Sequence, residues 1–132
     1  MAITAVLTVT FTVVHFGLSL HTWEGHIPPS CEEPSTIDYS KVGRPDYGPY
    51  VVKFTSWNNF PWGTTAHAIV GHGLAADLGT DYGVHVELTA TDIHQFRCRW
   101  TNEGVTIIEP DQNGTGQRIE RFVSAKQFLG GR

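Results

Sequence analysis

Seven histidines in 132 residues are the side chains best suited to bind a metal or move a proton near neutral pH. His67 and His72 come closest to a useful arrangement. With Asp77 or Asp81 they surround the bend Gly71-His72-Gly73, where glycines let the backbone approach a ligand closely. A zinc site needs three or four ligands to converge, yet a regular strand would point His67 and His72 to opposite faces. His85 shares a face with Glu87, and His94 follows Asp92 in a turn. The run His21-Thr22-Trp23-Glu24-Gly25-His26 lacks the helical His spacing of a zinc protease motif. Scattered surface histidines and no cofactor are therefore the simpler expectation. The alternative is a divalent metal such as zinc held by His67, His72 and Asp77.

A second cluster has different chemistry. Trp57-Asn58-Asn59-Phe60-Pro61-Trp62 places three aromatics and two amides in one loop. Aromatic faces give contact area at low entropic cost and amides aim hydrogen bonds. Trp57, Asn58, Asn59, Phe60 and Trp62 thus form a candidate platform for a sugar or a peptide. Aromatics beside a proline also plug the open end of small β domains, which is the blander use. No Gly-x-Ser-x-Gly, phosphate loop, Cys-x-x-Cys or dinucleotide fingerprint occurs. Acid–base chemistry would have to be assembled from His67, His72, Asp77, Asp81 or Asp92, which merely lie near turns. The expected function is non-enzymatic binding, by an accessory module tethered to a membrane. A small His-dependent enzyme or metal protein centred on His67 and His72 is the alternative.

Composition bounds the partners. Net charge is −4, the pI is about 5.9, and the nine Lys and Arg are scattered, so nucleic acid is not an expected partner. Charged residues make up only 17%, and none occurs before Glu24. Residues 1–20 match the ~20 apolar residues that cross a bilayer as a helix. On a helix, Thr4, Thr8, Thr12, His15 and Ser19 fall within an arc of roughly 80°, a stripe suited to packing on another helix. Thr8, Thr10 and Thr12 also alternate with Val9, Phe11 and Val13 as in a strand, so a wholly soluble β domain is the alternative. Trp23 suits a membrane interface, and no Lys or Arg flanks the segment to fix its orientation. The expectation is a single-pass anchor or signal helix over residues 1–23 with the domain outside the cytoplasm. A secreted or soluble chain is the alternative. Membrane, a second protein and another copy of the chain are the expected partners.

Residues 24–49 read as a Pro-rich linker, since Pro28, Pro29, Pro34, Pro45 and Pro49 remove donors and fix φ. It could also drape over the domain, anchored by Tyr39, Tyr47 and Tyr50. From residue 50 to 132 the pattern is mainly β, a small antiparallel meander or sandwich-like domain. Strands are expected at Tyr50 to Trp57, Ala66 to Val70, Val84 to Ala90, Phe96 to Thr101, Val105 to Glu109 and Arg118 to Val123. Pairing Leu88 with Cys98 puts Val86, Ala90, Phe96 and Trp100 on one face and sets Glu87 against Arg99 on the other. Glu103-Gly104 then turns the chain so that Val105 and Ile107 extend the same face. In that arrangement Cys98 points into the core while Cys31 lies in the linker, so a buried free thiol is expected at Cys98 rather than a disulfide.

Overall fold

The computed structural model describes residues 22–44, 49–72 and 83–129. It is mainly β, as expected, with seven strands in two antiparallel sheets among the described residues. The strands are β1 (Thr22–His26), β2 (Tyr50–Asn58), β3 (Thr64–His72), β4 (Val84–Glu87), β5 (Arg97–Thr101), β6 (Gly104–Ile108) and β7 (Glu120–Ser124). The first sheet runs β1-β2-β3-β4 and the second β5-β6-β7, so within each sheet neighbours in sequence are neighbours in space. A four-residue helix, α1 (Ala125–Phe128), follows β7. Its capping box joins Ser124 and Gln127 and satisfies two backbone donors at the helix start.

Alternation builds the core. In β2, Tyr50, Val52 and Phe54 face inward and are fully buried; in β3, Ala66, Ala68 and Val70 do the same. From the second sheet, Val105, Ile107 and Val123 join this cluster, with Cys98 and Trp100 packed against it. Phe54 and Phe96 stack across the interior with ring centroids 4.7 Å apart.

The strand partners differ from expectation at one place. Val86, Leu88, Ala90, Phe96, Cys98 and Trp100 do face the core, but β4 and β5 do not pair with each other. Val84 and Val86 sit opposite Val70 and Ala68 of β3, while Cys98 and Trp100 sit opposite Ile107 and Val105 of β6. Residues 88–96 are a crossover between sheets, held by core side chains of their own: Ala90, Ile93 and Phe96 are buried. The carboxylate of Glu109, 1% exposed, accepts hydrogen bonds from the backbone N–H groups of Thr89 and Ala90, each at 2.8 Å. It also pairs with Arg121, whose guanidinium donates to Thr89 Oγ1 at 3.0 Å. This clasp turns the chain away from the first sheet after Glu87. The chain does turn at Glu103-Gly104, and Val105 and Ile107 continue the core face as expected.

Parts of the expected linker pack on the sheets. Residues 22–26 form the edge strand β1, and Pro29–Cys31 form a short 3-10 turn laid against β5. Cys31 is disulfide-bonded to Cys98, which overturns the expected free thiol. The bridge is possible because the chain does cross the inner end of the second sheet: Ser30 Oγ accepts from the Cys98 N–H at 3.2 Å, and Ser30 O from Trp100 Nε1 at 3.0 Å. Tyr39 is buried, so the draped alternative holds for this residue. Of the helix expected over residues 1–23, Thr22 and Trp23 instead begin β1, whereas its stripe Thr4, Thr8, Thr12, His15 and Ser19 lies outside the described residues, as do Tyr47, Asp77 and Asp81. Among the described residues no helix is long and apolar enough to cross a membrane.

Candidate functional site

Large aromatic side chains left in water cost the fold apolar burial, so a group of them at one place marks a surface with a use. Such a group lies at the end of the first sheet where β2 turns into β3. Trp57 is the last aromatic of β2, and Phe60 and Trp62 sit in the tight connection that follows. That connection is closed by Asn59 N–H donating to Gly63 O at 2.9 Å and Trp62 N–H donating to Asn59 O at 2.6 Å. Gly63 has φ of +108°, a conformation strained for any other residue. The Phe60-Pro61 bond is cis.

The loop does not plug the domain. Phe60 is 52% exposed, Trp62 77% and Trp57 41%. The sequence pattern also missed a member of the group, Trp23, which is 54% exposed. The β1–β2 register sets Trp23 directly opposite Trp57, so both indoles project from the outer face of the sheet. Gly25, two residues along on that face, is where Trp23 finds its seat. A Cβ at Gly25 would come within 3.3 Å of the Trp23 ring and 3.1 Å of the Lys53 stem. Lys53 completes the seat, with its ammonium 5.6 Å from the Trp23 ring centroid. Nothing in the sequence of Thr22 to His26 signals a strand, because neither of its faces is apolar. Exposure and pairing made Trp23 part of the group.

The inner face of the same end is polar. The row Thr22–Asn58–Thr64 and the next row from Glu24 to Ser56 carry hydroxyl, amide and carboxylate groups, whereas Phe54 with Ala68 and Val52 with Val70 follow along β2 and β3 on that face. Glu24 pairs with His94 Nε2, and the His94 ring lies 4.5 Å from that of His26. The crossover adds Thr91 and Asp92, whose carboxylate accepts from the His94 N–H at 3.2 Å and from Gln95 Nε2 at 2.6 Å. A cleft of about 540 Å³ results, open to solvent beside the aromatic loop.

The proposed metal ligands do not come together among the described residues. β3 carries His67 on the outer face, opposite Thr55 and Glu87, and His72 at its far end opposite Tyr50. The His72 ring meets Tyr50 edge-on at 6.4 Å, whereas the His67 ring lies 6.3 Å from His85. Burial, and secondarily the charge of His85, holds the His67 pKa below its ordinary value of 6.5. No group of three or more His, Cys, Asp or Glu among the described residues is placed to hold a metal ion.

Fold and site together define a small two-sheet, disulfide-bridged β domain with an aromatic end. No family model matches the chain, and no curated protein or solved structure matches it.

Proposed function

We propose that this chain is a non-enzymatic binding module that receives its ligand on the aromatic end of the first sheet. The observation that carries the reading is the joint exposure of Trp23, Trp57, Phe60 and Trp62 on two paired strands and the loop beyond them. These residue types dominate the energetics of recognition surfaces, since each buries a large rigid area on contact. The seat of Trp23 on Gly25 and Lys53 supports a preformed surface, which lowers the entropic cost of binding. The Cys31–Cys98 bridge supports an oxidising, extracytoplasmic setting. The uncharged residues 1–20 support a membrane tether, tested by whether the full chain sediments with membranes and resists extraction by carbonate.

The binding reading is tested by tryptophan fluorescence titration against two panels, soluble oligosaccharides and extended peptides. The expected result is saturable binding of at least one panel member, weakened about tenfold by Trp62→Ala and by Trp23→Ala. The reading fails if no member of either panel binds, or if both variants bind as the wild type does.

A further inference from the structure

The inner face of the first sheet changes character along its strands. On β2 the inward residues run Tyr50, Val52, Phe54 and then Ser56 and Asn58. The apolar part is covered by the second sheet, whereas the polar part forms the floor of the cleft under Thr91 and Asp92. A strand that alternates correctly for a core but switches to Ser and Asn over its last two inward positions is specifying a wet surface there.

The lining of that cleft selects a ligand class. Among the described residues no Lys, Arg or His lines it, so a phosphate or other anion would find no cation there and would face the carboxylates of Glu24 and Asp92. Trp23 borders it but turns its indole to the outer face, so the cleft has too little apolar lining to hold a lipid or an apolar peptide side chain. What remains is four hydroxyls (Thr22, Ser56, Thr64 and Thr91), the Asn58 amide and two carboxylates. Carboxylates and amides accept from, and hydroxyls exchange hydrogen bonds with, a ligand that presents many hydroxyl groups. Both carboxylates are already oriented within the protein, Glu24 by His94 and Asp92 by the His94 N–H and Gln95. Fixed acceptors need little ordering when the ligand arrives.

The cleft also leads somewhere. Asn58 and Thr64 form the last rung of the β2–β3 ladder, immediately before the loop that carries Phe60 and Trp62. A ligand longer than the cleft passes from polar floor to exposed aromatic rings. We infer that the ligand is an oligosaccharide, one sugar unit hydrogen-bonded in the cleft of Glu24, Asn58 and Asp92 while the chain continues over Phe60 and Trp62. The inference rests on the binding reading above and adds the chemical class of the ligand to it. Sugars meet both halves of this surface because their hydroxyl rims suit the cleft and their C–H faces suit the aromatic rings.

The test is calorimetric titration of the full, oxidised chain with cello-, malto-, laminari- and chito-hexaoses at millimolar concentration, alongside a set of unstructured decapeptides. At least one hexaose is expected to bind. Glu24→Gln and Asn58→Ala should each weaken it about tenfold, while Phe122→Ala, on the far sheet, should not. The matching disaccharide should bind independently of Trp62, and the hexaose should not. Thermal unfolding of each variant reports whether it is folded, and Glu24→Gln, which preserves shape, keeps the test decisive if Asn58→Ala does not fold. Binding of decapeptides alone, lost in Trp62→Ala, would leave the platform standing and overturn the sugar assignment. Hexaose binding unchanged in Glu24→Gln and Asn58→Ala would overturn the cleft. Absence of any binding overturns both readings.

Discussion

Strand β2 has an aromatic cluster at each end, and the two are built for opposite purposes. At the Tyr50 end, Tyr39, Tyr50, Trp100 and Phe128 meet edge-to-face, with Phe128 5.1 Å from Tyr50, 5.8 Å from Tyr39 and 6.3 Å from Trp100. The Cys31–Cys98 bridge holds this end, and Trp100 spends its indole N–H on Ser30 O. At the Asn58 end, Trp57, Phe60 and Trp62 stand in water with Trp23 beside them. Residue type is the same at both ends. What differs is whether other elements arrive to cover the rings: α1, β5 and the draped residues 29–39 cover the first cluster, and the polar cleft borders the second. Burying an aromatic side chain stabilises by roughly 1.5–3 kcal/mol, so one cluster serves folding and the other is left available for binding.

The covered end should be the more sensitive to substitution. Phe128→Ala should cost about 3–5 kcal/mol, read from the urea midpoint and from loss of the near-UV signal of the surrounding Tyr and Trp residues. A cost near that of an exposed aromatic would show that this end is not the anchor of the fold. Glu109→Ala should fall in the same range, about 3–5 kcal/mol, because it leaves Arg121 and two backbone N–H groups without their partner. Its crossover should also lose hydrogen-exchange protection at Thr89 and Ala90.

Reduction of the disulfide, or Cys31→Ser with Cys98→Ser, comes next. The bridge spans 67 positions of sequence, and freeing that loop in the unfolded chain should cost about 2–4 kcal/mol. Chemical denaturation with and without reductant measures it; equal midpoints would mean that the 3-10 turn at Pro29–Cys31 is held by its packing and by Ser30 alone.

A smaller effect comes from His67, on the outer face between the two clusters. Its folded pKa lies below 6.5, so the unfolded chain takes up a proton first as pH falls. The stability carried by the neutral imidazole is complete above pH 6.5 and is lost as pH drops from there toward the folded pKa. His67→Gln should therefore flatten the acid side of the wild-type melting curve against pH just below 6.5. Parallel curves for the two proteins would show that neither burial nor His85 weighs on this group.

Much of the fold was legible in alternation, and its limits are physical. Tyr50 to Trp57 read as a strand because apolar residues recur at every second position, and β2 occupies Tyr50–Asn58. Alternation assigns a face but not a partner. Val86 and Trp100 both face inward, yet two sheets offer the same apolar surface; β4 joins β3, and the Glu109 clasp holds the crossover that follows it. The disulfide and β1 escaped for related reasons. Cys31 reaches Cys98 through a chain path that depends on pairing between distant residues, and Thr22 to His26 has no apolar face to reveal it. At the candidate site, composition pointed to Trp57, Asn58, Asn59, Phe60 and Trp62, but composition cannot say whether a ring is covered. Trp23 and the cleft around Glu24 needed the register as well.

The division of labour between the two aromatic ends meets its most direct test in one variant measured twice. Trp62→Ala should leave the unfolding free energy within about 0.5 kcal/mol of wild type, as for an exposed residue. In the same preparation it should weaken ligand binding about tenfold. A loss of stability above about 2 kcal/mol with binding intact would place Trp62 in the fold rather than in the site and contradict the account.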